Sequence, residues 1–225
     1  MTDEQTRAFE PEDLAFFGAI TAGISHELKN VATIINESAG LLNDLSLGAE
    51  SGRRPLDPSR IKKMSSDISR NVDRAVAILN RMNRFAHSVD EPRRSADLKD
   101  ILDDTVELAK RFSSVRGVEL QATLPEHPVP VNTYVFGMHR ALFTALQLIV
   151  LDVDGVLPAQ ISLSKQGTSA CVRMHRGAWV ASDEAATRRE GLARLMGVLG
   201  GEIRWEADDT GRQGLVLHVP ADARE

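Results

Sequence analysis

The chain has 225 residues, 42% of them hydrophobic and 26% charged, which is ordinary for a globular protein with one large core or two small ones. A net charge of −5 argues against general nucleic-acid binding, and the single cysteine, Cys171, excludes an internal disulfide. Aromatic residues make up only 4%, so packing falls to Leu, Ile, Val and Ala, as in many helical bundles. No run approaches the ~20 apolar residues of a membrane span, and the longest, Ala145 to Leu151, is broken by Gln147. The acidic opening MTDEQTRAFEPEDLAFF lacks the basic-then-apolar order of a signal peptide. The expectation is a cytoplasmic chain without membrane or nucleic-acid partners, any membrane sensor residing on another chain.

In chain order, Leu14, Phe17, Ile20, Ile24, Leu28, Val31, Ile35, Leu42 and Leu45 recur at helical spacing from about Pro11 to Leu47, with no internal proline. Gly48 and the polar stretch Ala49 to Pro55 stop that helix, and Asp57-Pro58 reads as the N-cap and first turn of the next. The second helix carries Ile61, Met64, Ile68, Val72, Ala75, Leu79, Met82, Phe85 and Val89 at spacings of three and four, close to a coiled-coil seam. Two such helices form an antiparallel hairpin, Phe9 to Val89. A lone hairpin leaves its apolar seam wet, so the periodicity predicts a homodimer closing into a four-helix bundle. The intervening loop is basic, with Arg53, Arg54, Arg60, Lys62 and Lys63, and reads as a solvated charged loop.

Glu91 to Ser95 reads as a charged linker, after which helices and strands intermix. The pattern predicts a helix over 97–112, a strand over 118–124, an apolar helix over 138–153 and short strands at 161–163 and 170–174. A helix over 184–199 stops at Gly200-Gly201, and strands at 202–207 and 215–219 pair around the Asp208-Asp209-Thr210-Gly211 turn. The expected fold is α+β in two domains: a helical hairpin over 1–90 and an α/β sandwich over 91–225.

Chemistry concentrates in Gly23-Ile24-Ser25-His26-Glu27-Leu28-Lys29-Asn30. A neutral imidazole is a nucleophile near neutral pH, and an adjacent carboxylate can hold the proton on its other ring nitrogen. His26 and Asn30 are four apart and share a helix face, so the amide is placed to position a water or an incoming phosphoryl group. This segment resembles the phosphoacceptor box of two-component sensor histidine kinases, His-Glu-x-Lys-Asn followed by proline, with Val31 in the proline's place. The resemblance implies His26 as phosphoacceptor, Glu27 as acid/base, Asn30 as the water-orienting residue and Lys29 as a neutraliser of phosphoryl charge. His87, His127, His139, His175 and His218 have no such context and read as ordinary surface or core histidines.

The resemblance runs on through the rest of the chain. Asp97 to Phe112 with Gly117-Val118-Glu119-Leu120, Gly200 to Trp205 and Gly214 to Pro220 are similar to parts of the family's ATP-binding domain. The residues that handle ATP there are missing. Thr144 and Leu148 stand where the long helix should carry two asparagines, and leucine cannot ligate a hard cation. Cys171 to Trp179 keeps one glycine and no aspartate of the Asp-x-Gly-x-Gly turn, the lid shrinks to Trp179–Asp183, and Glu190-Gly191-Leu192 keeps one glycine of the second glycine box. Gly177 and Gly191 then read as plain turn residues. The resemblance therefore implies a histidine phosphotransferase with a degenerate ATP-binding domain, of the sporulation and cell-cycle kind. It would exchange a phosphoryl group between His26 and a receiver-domain aspartate without ATP or any cofactor of its own, magnesium residing on the receiver. Its partners would be a second copy, response-regulator receiver domains, and a hybrid or sensor histidine kinase, with Ala22, Lys29 and Thr33 in the docking face. Two alternatives remain open: a response-regulator phosphatase using Glu27 and Asn30, and a non-catalytic pseudokinase binding module.

Overall fold

The computed structural model describes residues 11–52, 55–91 and 93–221. The acidic opening before Pro11, Arg53 and Arg54 of the basic loop, and Pro92 of the charged linker lie outside them. The chain divides into two compact units, Gly18–Ala86 and the segment up to Phe17 with His87–Glu225.

Two helices make the first unit. Helix α1, Pro11–Glu50, runs unbroken through Val31, which is buried, because valine keeps the N–H that proline would remove. Thr33 donates its hydroxyl to the carbonyl of Lys29 at 2.9 Å, one turn back on the same helix. Helix α2, Pro58–Ala86, starts as expected from Asp57, whose Oδ1 accepts the backbone N–H and the hydroxyl of Ser59 at 2.9 and 2.7 Å. The Ser59 hydroxyl holds the Asp57 carboxyl below its usual pKa. Ile24, Val31, Met64 and Ile78 are buried, whereas Ile34, Leu41, Val72, Val76 and Leu79 remain exposed. The α2 members of the exposed set recur at i, i+4 and i+7, so they form a second apolar stripe.

In the other unit a 3₁₀ turn, His87–Val89, precedes strand β1, Arg94–Asp97. Its first two residues are expected in the linker and Asp97 at a helix start, but the strand pairs antiparallel with β3, Pro130–Thr133. Asp97 ends β1 and caps helix α3, Leu98–Ser114, accepting the backbone N–H groups of Lys99 and Val129 at 2.9 and 2.8 Å. The main sheet follows the order β2-β5-β6-β8-β7, with β4 beside the far end of β6. Its strands are β2 (Leu120–Thr123), β4 (Val153–Asp154), β5 (Ala159–Gln166), β6 (Ser169–Trp179), β7 (Glu202–Ala207) and β8 (Gln213–Pro220). Strand β2 runs parallel to β5, and the other pairs are antiparallel.

Register decides which face is core. Ile161, Met174 and Leu215 lie opposite one another, as do Leu163, Val172 and Leu217, and all are buried. The alternate positions of β5 carry polar side chains, and on that face Gln160 donates to Gln121 at 2.7 Å and Arg173 to Ser164 at 3.3 Å. Helix α4, Val135–Leu151, is buried on nearly every side, and helix α5, Asp183–Val198, contributes Ala185, Leu192, Leu195 and Met196 to the core. Helix α5 ends at Leu199, and Gly200 supplies the left-handed residue (φ +80°) that a helix stop favours. The first turns of α1 belong to this unit: the Phe16 ring lies 5.5 Å from Phe136 and 5.4 Å from Phe143, and Arg140 donates to Asp13. No described helix is long and apolar enough to cross a membrane.

Candidate functional site

Helix geometry sorts the His26 stretch by face. Ala22, His26, Lys29, Asn30 and Thr33 share one face at spacings of three and four and are all exposed, while Ile24 and Val31 point inward. Five of the six residues named from the sequence for acceptor chemistry and docking, all but Glu27, thus form one solvent-facing stripe. Among the described residues no hydrogen-bond or ion-pair partner exists for the His26 imidazole, so its ring nitrogens face water.

Glu27 lies one position round the helix and is half-buried. Its carboxylate Oε1 accepts from Arg74 Nη2 of α2 at 2.8 Å. The carboxylate that the sequence assigns to His26 is therefore held by α2. Sequence reasoning missed Arg74, and hairpin symmetry would have named another residue: reflecting Glu27 about residue 54, midway between the helices, points to Arg81. The actual partner is about two helical turns nearer the connection, because α1 overhangs α2.

The positions named for ATP handling lie elsewhere, in the second unit. Leu148 is fully buried, and the Thr144 hydroxyl donates to the Arg140 carbonyl at 2.8 Å. Neither glycine is a turn residue. Gly177 sits in β6 at a register shift, where a Cβ would come within 1.8 Å of the Asp154 carbonyl oxygen, so it is needed for close approach of β4. Gly191 lies inside α5, where a Cβ would meet no atom within 4 Å beyond its immediate neighbours and its own helix backbone, so it serves neither a turn nor close packing.

Three arginines organise this end of the sheet. Arg176 is buried, and its guanidinium donates to the carbonyls of Val153 (2.6 Å), Leu157 (3.3 Å), Ile149 and Val150 (both 3.4 Å) and to that of Gly155. Burial pulls its pKa below the usual arginine value. It thereby closes the carbonyl end of α4, which would otherwise carry unpaired acceptors. Arg188 of α5 holds the buried Asp152 through Nε at 2.8 Å and Nη2 at 2.5 Å. The Arg189 guanidinium lies 4.3 Å from the Trp179 ring and 4.9 Å from Trp205, whose rings meet edge-on at 5.4 Å. Trp179 N–H donates to Gln213 Oε1 at 2.8 Å and Val180 N–H to the Asp152 carbonyl at 2.7 Å, which pins the short connection from β6 to α5.

No family model matches the sequence, and no curated protein does. Solved structures do. The catalytic domain of the histidine kinase ThkA, in a nucleotide-free form, aligns with a TM-score of 0.50 at 10% identity, covering 58% of this chain and 96% of that one. The histidine kinase AdeS of Acinetobacter baumannii aligns with a TM-score of 0.48 at 10% identity, over 88% of this chain and 98% of that one. A mycobacterial sensor histidine kinase, MprB, aligns with a TM-score of 0.47 at 13% identity, over 57% of this chain and 98% of that one. The chain is α+β, and its sheet unit has the fold of a histidine-kinase ATP-binding domain, as the sequence resemblance implied.

Proposed function

We propose that the chain is a histidine phosphotransferase of a two-component phosphorelay, exchanging a phosphoryl group between His26 and a receiver-domain aspartate. The observation that carries this reading is the His26 imidazole, without a partner among the described residues, at the centre of an exposed stripe with Lys29 and Asn30. An acceptor histidine must be reached in line by a bulky protein-bound phosphate, and an exposed helix face allows that approach. Lys29 lies one turn away, where an ammonium offsets phosphoryl charge, and Asn30 is within reach of a hydrolytic water. Glu27 takes the acid/base role when its carboxylate is free to meet the ring.

The same reading makes the second unit a support and docking domain without ATP. Its side chains suit a nucleotide poorly. Leucine replaces an oxygen ligand at 148, Gly191 is locked in a helix, and Gly177 faces the β4 backbone. The exposed stripe Val72, Val76 and Leu79 supports the homodimer, since a second hairpin would cover it. The receiver supplies magnesium in this scheme.

The test uses purified wild type and His26→Ala with a phosphorylated receiver domain, and separately with labelled ATP. Acid-labile, base-stable label moving from receiver to wild type alone, with none from ATP, is the expected result. Release of free phosphate at equal rates by both proteins would make the chain a phosphatase, with Asn30→Ala as the damaging change. An inert receiver would leave a binding module, and label taken from ATP would sink the account of the second unit.

A further inference from the structure

The Arg74–Glu27 pair ties the carboxylate next to the acceptor histidine to the wrong helix for acceptor chemistry. Adjacent helical positions diverge by about 100°, so Glu27 reaches His26 only when its side chain is turned toward it. Arg74 Nη2 holds Oε1 at 2.8 Å on the α2 side, and the imidazole has no partner among the described residues. The two side chains are 54% and 33% exposed, so the pair is screened, contributes little to stability, and opens readily. Its consequence is therefore geometric.

We infer that Arg74 is a positioning residue that withholds Glu27 from His26, so that loading of the histidine runs through the fraction of molecules in which this ion pair is open. The inference rests on the phosphotransferase reading. A neutral imidazole has one N–H and one lone pair. Once released, the Glu27 carboxylate accepts Nδ1–H, which leaves the lone pair on Nε2. That lone pair forms the N–P bond, while the bond from phosphorus to the receiver's aspartyl oxygen breaks and its electron pair leaves with the carboxylate. The proton stays on Nδ1, the ring becomes a phosphoimidazolium, and the Glu27 carboxylate balances its positive charge. No proton or electron is left over, and the return transfer reverses each movement. With Arg74 closed on Glu27 the ring must choose its tautomer unaided, and the new cation has only water to balance it.

The experiment follows label from a phosphorylated receiver onto His26 in single-turnover mixing, over a range of receiver concentrations. Arg74→Ala is expected to raise the limiting rate about two- to five-fold, the shift that an exposed ion pair can impose on a population. The receiver concentration giving half the limiting rate should stay unchanged. Arg74→Lys, which keeps a cation, should return most of the way to wild type. In a Glu27→Gln background Arg74→Ala should have no further effect, because the carboxylate it withholds is gone. A limiting rate unchanged or lowered by Arg74→Ala, or an equal effect with Glu27→Gln present, overturns the inference while leaving the phosphotransferase intact. Absence of any label on wild-type protein is a different failure, that of the phosphotransferase reading itself.

Discussion

Replacing both Val76 and Leu79 with glutamate perturbs the proposed association of two hairpins where it has most to lose. Each side chain is 50% exposed in the single chain, so about half of its burial energy is still unrealised. Full burial of a valine or leucine contributes roughly 1.5–3 kcal/mol, which leaves about 1 kcal/mol for each to gain at an interface. A twofold axis brings two copies of each, four side chains in all, or about 4 kcal/mol per dimer. That loss alone raises the dissociation constant roughly a thousand-fold, and the cost of bringing carboxylates into the seam adds to it. Sedimentation equilibrium over a hundred-fold concentration range reads the change directly. Wild type should sediment as a dimer and the double variant as a monomer of native helicity. A variant with wild-type mass at every concentration would refute the assignment of this stripe to the interface.

Other consequences follow from the second unit. Arg188→Ala strands the buried Asp152 carboxylate and should lower stability by about 3–5 kcal/mol in denaturant unfolding, whereas the same change in an Asp152→Asn background should cost far less. The two glycines should respond with opposite signs. Gly177→Ala drives a Cβ into the Asp154 carbonyl and should destabilise by at least about 2 kcal/mol, while Gly191→Ala in α5 should stabilise by about 0.5–1 kcal/mol. Thermal melts decide both, and a reversal of either sign would displace the role given to that glycine. Cys171 is fully buried, 3.3 Å from His218 Nδ1, and burial raises its thiol pKa. The reactive thiolate is thus scarce at neutral pH, and alkylation in the native protein should be at least about a hundred-fold slower than in denaturant. Equal rates would place the thiol at the surface.

What could be read from the residues follows the range of the interactions involved. Helices α1 and α2 and strand β7 were visible because their patterns are periodic and local, and the Asp57-Pro58 start carries its own capping group. Strand β1 was not visible, since Arg94-Ser95-Ala96-Asp97 has no alternation and becomes a strand only through pairing with Pro130–Thr133. The division at Phe17 was equally hidden: spacing shows that Phe16 is on a helix, not that its ring meets Phe136 and Phe143. Within the candidate site, His26, Lys29 and Asn30 share a stripe by helical arithmetic alone, whereas the Arg74–Glu27 pairing depends on the register between two helices. Gly177 was misread for the same reason: it answers to β4, a strand of two residues with no signal of its own. Gly191 was not hidden in this way, because the pattern over 184–199 already placed it inside a helix.

This contrast bears on how, in the proposed reading, an acceptor site would sit beside an ATP-binding-type fold that does not use nucleotide. The proposed acceptor needs two turns of one helix, an exposed face and a neighbouring carboxylate. A triphosphate site needs backbone amides from several loops converging on one point, which demands glycines free of helix and sheet. In the second unit neither glycine keeps that freedom: Gly177 lets β4 approach β6, and Gly191 continues a helix. Arg176, Arg188 and Arg189 then tie the same end together through carbonyls, a carboxylate and two indoles. Each of these contacts stabilises the sandwich without any ligand. In the proposed reading the helical acceptor then needs no nucleotide from this unit, provided that the phosphoryl group arrives on a partner protein.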